Sequence, residues 1–297
     1  MRKLTQAMAA GLAVSALGAA AAANAPAAPD LAALSRIPAV SGYEQALSAA
    51  IAHDLAALHP NTDNLDDVWV TVGRGSPHRL IVAAIDQPGY VVSQITPQGY
   101  LRVQRLPQVP PNAVFDTLSF AQPVRVQTAS GALVGGFAGL SIHLAPRRLN
   151  PPDMSHIDEL YLDIGARSAA RARAAGADLL DPVSFAQAPM TVGADDEAGA
   201  GAGDRFGWEA LLEAARNIGR SRAPGTTTIA FVTQQWLGGR GLIRLVTEVP
   251  TDEMIFVGRM TPAGSAGEGA APAPGDGVLI GESAGTQPPA NGLAEAL

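Results

Sequence analysis

Cysteine is missing from this chain, and Lys3 is its only lysine. Without cysteine there is no disulfide framework and no lipid-modified cysteine. Aromatic residues make up only 5% of the sequence and charged residues 16%, and an excess of Asp and Glu gives a formal net charge of -7. Nucleic acids and anionic membrane surfaces attract basic proteins, so this acidic balance excludes both as expected partners. A hydrophobic content of 47% is instead typical of a globular chain with a large core.

The amino terminus has the pattern of a secretory signal. Arg2 and Lys3 precede an Ala-rich apolar stretch at 8–23, which is followed by small residues suited to cleavage. This stretch is too short and too rich in alanine to predict a spanning helix. We therefore expect residues 1–25 to be a signal peptide. The mature protein is then periplasmic or secreted, without membrane contact after cleavage.

Two parts of the chain have the pattern of an α/β sheet. Continuous apolar runs predict strands that are buried on both faces. The runs are 80–85, 228–232 and 254–257. Before the second run, an apolar stripe over 208–218 predicts an amphipathic helix. Strands joined by long crossovers predict a mainly parallel sheet, which we assign to residues 26–88 and 189–261.

The helix that follows Ser41 is predicted from a capping motif. Ser41 and Glu44 have the spacing of a capping box, in which each side chain bonds to the backbone of the other. Apolar residues then recur at helical spacing over 43–55. We therefore expect Ser41 to cap this helix.

A different texture separates the two α/β parts. Residues 89–188 contain short apolar segments between proline and glycine residues, which predicts a small β-barrel or sandwich. Residues 262–297 are rich in Gly, Ala and Pro, and we expect a largely loose tail there. The expected fold is thus an α/β sheet with flanking helices, interrupted by an inserted barrel-like β-domain.

Five motifs in the same order carry a resemblance to a known family. They are 37–44, 160–168, 181–185, 204–214 and 231–241. Together they resemble the glutamyl and deblocking aminopeptidases, co-catalytic zinc exopeptidases that include shell-forming members. The resemblance implies an α/β catalytic layer with metals at the carboxyl ends of its parallel strands, where open sheets bind ligands. It also implies a degenerate member that is short at the carboxyl terminus.

The resemblance places the family's metal ligands on residues that bind no cation. These positions are Ala84, Gly203, Trp236 and Gly258 or Arg259. The family's general base falls on Gln235, and glutamine accepts no proton near neutral pH. Tryptophan offers only a donor. We therefore expect no catalytic residue, no metal site and no cofactor.

Three charged residues of the family pattern are retained as vestiges of the cleft. They are Asp86, Asp204 and Arg205. The resemblance implies that the family's aspartate at the position of Asp86 binds no metal itself and orients a histidine that does. Because that histidine is Ala84 here, Asp86 is expected to have nothing to orient.

Other acidic groups and the histidines are interpreted as solvated. Asp63, Asp66 and Asp67 read as loop charges. The histidines show no spacing that would place two imidazoles on one face, and we interpret each of them as a surface or loop residue.

The densest acidic cluster leaves two functions open. Asp195, Asp196 and Glu197 are interpreted as a solvated turn, and the alternative is a set of substitute metal ligands. The first interpretation gives a non-catalytic exported protein that binds peptides or a protein partner, with oligomers formed through the β-insert. The alternative gives a metal-dependent aminopeptidase that uses zinc or cobalt, with substitute ligands such as Asp86, Asp195, Asp196 and Asp204.

Overall fold

The computed structural model describes residues 31–106, 116, 118–139, 157, 160–186, 190–193, 196–199, 201–220 and 224–258. The predicted signal peptide, 1–25, and the predicted tail, 262–297, lie outside these ranges. Among the helices within them, none has both the length and the apolar character needed to cross a membrane.

Thirteen strands and five α-helices make up the described part of the chain. The strands are β1 (Asn61–Thr62), β2 (Val68–Arg74), β3 (His78–Ala84), β4 (Gly89–Ile95), β5 (Leu101–Leu106), β6 (Pro123–Thr128), β7 (Gly131–Ala138), β8 (Tyr161–Asp163), β9 (Pro182–Phe185), β10 (Met190–Val192), β11 (Asp196–Ala198), β12 (Gly225–Val232) and β13 (Glu253–Phe256). The helices are α1 (Leu31–Leu34), α2 (Gln45–Asp54), α3 (Ala169–Ala174), α4 (Ala202–Asn217) and α5 (Arg240–Leu245).

The three predicted apolar runs form neighbouring strands of one sheet. Its order is β1-β2-β12-β3-β13. β3 runs parallel to both β12 and β13, whereas β2 is antiparallel to β12 and β1 is antiparallel to β2. Val232 pairs with Ala84, so β3 and β12 end side by side.

Both faces of this sheet are buried, which explains the continuous apolar runs. One face packs against α2 and α4, with Ile51, Trp208 and Phe231 fully buried in a shared cluster. The other face packs against α5 through Leu245, next to Leu80 of β3. Side chains that alternate to opposite faces of each strand must therefore all be apolar.

An ion pair joins the two helices on the first face. Arg216 of α4 donates from Nε to Asp54 Oδ2 at 2.8 Å and from Nη2 to Asp54 Oδ1 at 3.2 Å. The Asp54 side chain of α2 is 1% exposed, and that of Arg216 is 18% exposed. The two-point geometry fixes the relative position of the helices as well as pairing the charges.

Between β3 and α4 the chain forms a closed antiparallel barrel, in the order β4-β5-β8-β7-β6-β9. Its core includes edge-to-face aromatic pairs of Tyr90 with Phe137, at 5.2 Å between ring centroids, and with Phe185, at 6.1 Å. Short strands separated by turns are thus confirmed for this segment, and the α/β sheet is interrupted by a barrel as predicted. β9 was not predicted as a strand.

The capping-box prediction was wrong. α2 begins at Gln45, and the Glu44 side chain makes no cap bond to the helix. Ser41 instead donates from Oγ to Asp86 Oδ2 at 2.6 Å. The reason is that a buried carboxylate 45 residues away competes successfully for the hydroxyl.

Candidate functional site

A cleft of about 260 Å³ lies where the parallel strands end. The described residues that line it are Ala84, Asp86, Gly203, Asp204, Gln235, Trp236, Phe256, Val257 and Gly258. Open α/β sheets bind ligands at this edge because the loops that leave the strand ends diverge there.

Four segments carry these side chains into the cleft. β3 ends at Ala84, β13 ends at Phe256, and α4 begins one residue before Gly203. β12 is followed by a tight turn of 3-10 helix at Gln235–Leu237. The structure therefore brings together every position that the sequence assigned to the family's metals and base, with Arg259 outside the described residues.

Asp86 organises the turn that carries Gln235 and Trp236. It accepts a hydrogen bond from the backbone N–H of Gln235 at 3.0 Å and from that of Trp236 at 3.1 Å, besides the bond from Ser41. The expectation that Asp86 has nothing to orient was wrong. Because the carboxylate is only 1% exposed, burial raises its pKa, while the three hydrogen bonds oppose that effect.

Arg205 does not line the cleft. Its side chain is buried on α4, with Nε at 4.0 Å from Glu209 Oε1, one turn further along the helix. Asp204, in contrast, is half-buried and faces the cleft from the first turn of α4. Of the two adjacent charges, only the carboxylate is thus placed to meet a ligand.

A second buried carboxyl supports the same turn from beneath. Glu44 is fully buried, and its Oε1 accepts from the backbone N–H of Gly42 at 2.8 Å and from that of Gln234 at 2.9 Å. Glu44 Oε2 is buried without a hydrogen-bond partner in the described part of the chain. Burial, and to a smaller extent the charge of Asp86, raises the pKa of Glu44 to about 7, although its two backbone bonds lower it.

This raised pKa predicts a stability that declines toward neutral pH. Between the ordinary value of 4.5 and about 7, the folded protein holds a proton on Glu44 that the unfolded chain has released. The free energy of unfolding therefore falls as the pH rises through that window. Glu44→Gln keeps an acceptor for Gly42 and Gln234 and carries no charge, so it should flatten the profile. Urea midpoints measured across the window test this, and equal slopes for the two proteins would contradict it.

The side chains of the cleft do not fit a pair of metal ions. Ala84, Gly203 and Gly258 offer no ligand atom, and Trp236 offers only an N–H. Both oxygens of Asp86 already accept hydrogen bonds. Within the described residues, no three side chains of His, Asp or Glu lie close enough together to hold a metal ion.

The acidic cluster that was interpreted as a turn lies partly in a strand. Asp196 and Glu197 are in β11, which pairs with β10 in a two-stranded sheet rather than forming a turn. Asp195 lies outside the described residues.

The described histidines are all at least partly exposed, whereas one aspartate is not a solvated loop group. His53 and His59 are exposed, but His78 begins β3 and pairs with Asp252 at 3.0 Å. His143 and His156 lie outside the described residues. Asp67 was wrongly interpreted as solvated, because it is fully buried and bonds to Thr233.

Comparison with known proteins gives a consistent result. The family model described as M42 glutamyl aminopeptidase matches residues 68–297. The lysyl aminopeptidase of Pyrococcus furiosus is 29% identical over 207 residues, which are 69% of this chain and 58% of that protein. The chain spans 58% of the length of the curated relatives that it matches.

Solved structures show the same fold. The TET1 peptidase of Pyrococcus horikoshii, which can assemble into a tetrahedron or a large octahedral shell, superposes with a TM-score of 0.69 at 25% identity, covering 77% of this chain and 67% of that one. A TET aminopeptidase from a marine sediment Thaumarchaeota archaeon gives a TM-score of 0.69 at 23% identity, covering 76% and 64%. The predicted resemblance and the predicted fold are confirmed.

The same matches correct one prediction. From its substituted ligands, the sequence led us to expect no cofactor. That expectation is contradicted, because M42 aminopeptidase relatives are metal-dependent. The metal content of this chain is therefore a quantity to measure, although the described cleft residues do not form the expected ligand set.

Proposed function

Because the chain belongs to the M42 glutamyl aminopeptidase family, we propose that it is an exported aminopeptidase-fold protein that binds peptide ends in its cleft without hydrolysing them. The observation that carries the proposal is that Gln235 and Trp236 are neighbours in one turn and both line that cleft. Gln235 supports the absence of hydrolysis, and Trp236 supports the binding of a peptide end.

Gln235 supports the loss of hydrolysis. In peptide hydrolysis a general base takes a proton from the attacking water, and its pKa must lie near the working pH. An amide has no such pKa, so Gln235 cannot take over this role from a glutamate. The general base is therefore missing at this position whether or not a metal ion binds nearby.

Trp236 supports binding of an apolar peptide end. It shares the cleft with Phe256, which gives two aromatic surfaces, and with the carboxylate of Asp204. Pockets that are mostly apolar with a few placed polar groups are typical of sites for small ligands. A carboxylate beside aromatic rings suits a cationic amino terminus followed by an apolar side chain.

Export and assembly belong to the same proposal. The basic start and the Ala-rich stretch at 8–23 support a periplasmic or secreted location. Relatives such as the TET1 peptidase of Pyrococcus horikoshii form shells, which supports an oligomer built through the barrel. Light scattering after size exclusion measures the assembly, and a monomer at all concentrations would contradict it.

Binding is tested through tryptophan emission. The chain has three tryptophans, and only Trp236 is among the residues that line the cleft. Titration with short apolar peptides should change the emission of the wild type and of Trp69→Phe, the control. Trp236→Phe should lose this change. A response that persists in Trp236→Phe would show that the peptides bind elsewhere, and no response in any of the proteins would contradict binding.

The second candidate is a metal-dependent aminopeptidase with substitute ligands. It is favoured by the metal dependence of the family and by the two carboxylates, Asp86 and Asp204, that line one cleft. Elemental analysis of untagged protein and assays with aminoacyl chromogenic substrates, with zinc or cobalt added, separate the candidates. Stoichiometric metal with turnover that a chelator abolishes would establish the second and overturn the first.

A further inference from the structure

Two aspartates lie in the loop between β1 and β2. Asp63 Oδ1 accepts hydrogen bonds from the backbone N–H of Leu65 at 2.9 Å and from that of Asp67 at 3.0 Å. Asp67, which is fully buried, reaches across to the end of β12. Its Oδ1 accepts from the backbone N–H of Thr233 at 2.7 Å and from Thr233 Oγ1 at 2.9 Å.

The remaining oxygen of each carboxyl group is buried. Asp63 Oδ2 and Asp67 Oδ2 have no hydrogen-bond donor in the described part of the chain. The two carboxyl groups belong to one turn, in which Asp63 Oδ1 accepts from the backbone N–H of Asp67 at 3.0 Å. Two charged carboxylates this near each other repel, whereas one proton between them replaces the repulsion with a hydrogen bond.

In the described part of the chain, the charge that acts on Asp67 is that of Asp63, and no cation lowers its pKa. α5 approaches through Gly241, where a Cβ atom would lie 2.6 Å from the Thr233 carbonyl oxygen and 2.8 Å from its nitrogen. The charged side chains on α5, Arg240 and Arg244, are exposed. Burial, and after it the charge of Asp63, raises the pKa of Asp67 to about 6 against the bonds from Thr233.

We propose that Asp63 and Asp67 share one buried proton and, in that state, clamp the β1–β2 loop to the end of β12. The clamp lies immediately before the turn of Gln235 and Trp236, because Thr233 is the residue after the last residue of β12. Release of the proton leaves two adjacent buried charges, so the clamp weakens as the pH rises. The proposal stands whether or not the cleft binds a peptide.

Isosteric amides test the shared proton. An amide N–H in place of the proton can donate to the facing carboxylate at any pH. Asp67→Asn and Asp63→Asn, each alone, should therefore show a smaller decline in denaturant midpoint from about pH 5 to about pH 8 than the wild type, and the decline that remains is the part that Glu44 contributes. Each single variant should match or exceed the wild-type midpoint at the higher pH.

The double variant and a truncation are the controls. Asp63→Asn with Asp67→Asn places two amide groups against each other with no acceptor between them, so it should lower the midpoint at both pH values. Asp67→Ala removes the acceptor for Thr233 and should also lower it at both. The proposal is overturned if Asp67→Asn behaves like Asp67→Ala. It is also overturned if calcium or magnesium raises the midpoint of the wild type but not of Asp67→Asn, since a cation would then occupy the gap.

Discussion

Replacing Arg216 with methionine is expected to lower the free energy of unfolding by about 3–5 kcal/mol, the usual cost of removing one partner from a buried ion pair. Asp54, at 1% exposure, would remain buried with no guanidinium to accept from. The lost contact also joins α2 to α4, so the cost should appear in global unfolding. Urea or thermal denaturation of the purified variant measures it.

Two further variants separate the buried pair from ordinary surface charge. Glu213 also contacts Arg216, at 3.0 Å, but its side chain is 57% exposed. Glu213→Gln should therefore change the unfolding free energy by only about 0–1 kcal/mol. Combining Arg216→Met with Asp54→Leu removes both charges and should recover most of the lost stability. If Arg216→Met alone were as stable as the double variant, the loss of stability would not come from leaving Asp54 as an unpaired buried charge.

The apolar framework of the fold could be predicted from the sequence because its signals are local. The runs that become β3 and β12 are continuous and apolar, and each is long enough to specify a buried strand. The helical stripe of α4 is equally local, with Trp208 and Leu212 on its buried face. Once these elements were ordered, the positions of Ala84 and Gln235 at one edge followed from parallel topology.

The polar scaffold beneath the cleft could not be predicted, because its partners are far apart in sequence. Glu44 bonds to a backbone N–H 190 residues away, and Asp67 bonds to a residue 166 away. Local pattern suggested a helix cap for Glu44 and a solvated loop for Asp67.

Two short elements were missed for a related reason. α5 has six residues, and β9 has four. Elements of this length are held by tertiary contacts rather than by their own propensity. α5 nevertheless closes the second face of the sheet and presses Gly241 against Thr233. The strands that carry the cleft could thus be predicted from the sequence, whereas the short elements packed beside them could not.

Replacing Asp86 with leucine should reduce stability and disable the cleft together. The apolar side chain is of similar size but accepts nothing, so Ser41 Oγ and the N–H groups of Gln235 and Trp236 lose their acceptor. An unsatisfied buried donor costs about 1–3 kcal/mol, which makes a total loss of about 3 kcal/mol or more the expected result. Denaturation measures the stability, and the tryptophan response to apolar peptides measures the cleft.

Ser41→Ala serves as the matched control for Asp86→Leu. It removes only the hydroxyl bond and leaves both backbone bonds to Asp86 in place, so it should cost about 1 kcal/mol and keep the tryptophan response. If Asp86→Leu were as stable as Ser41→Ala and still responded to peptides, the turn would owe its position to Glu44 through Gln234 rather than to Asp86. In the expected case, the carboxylate retained at this position acts as the anchor of the turn that shapes the cleft.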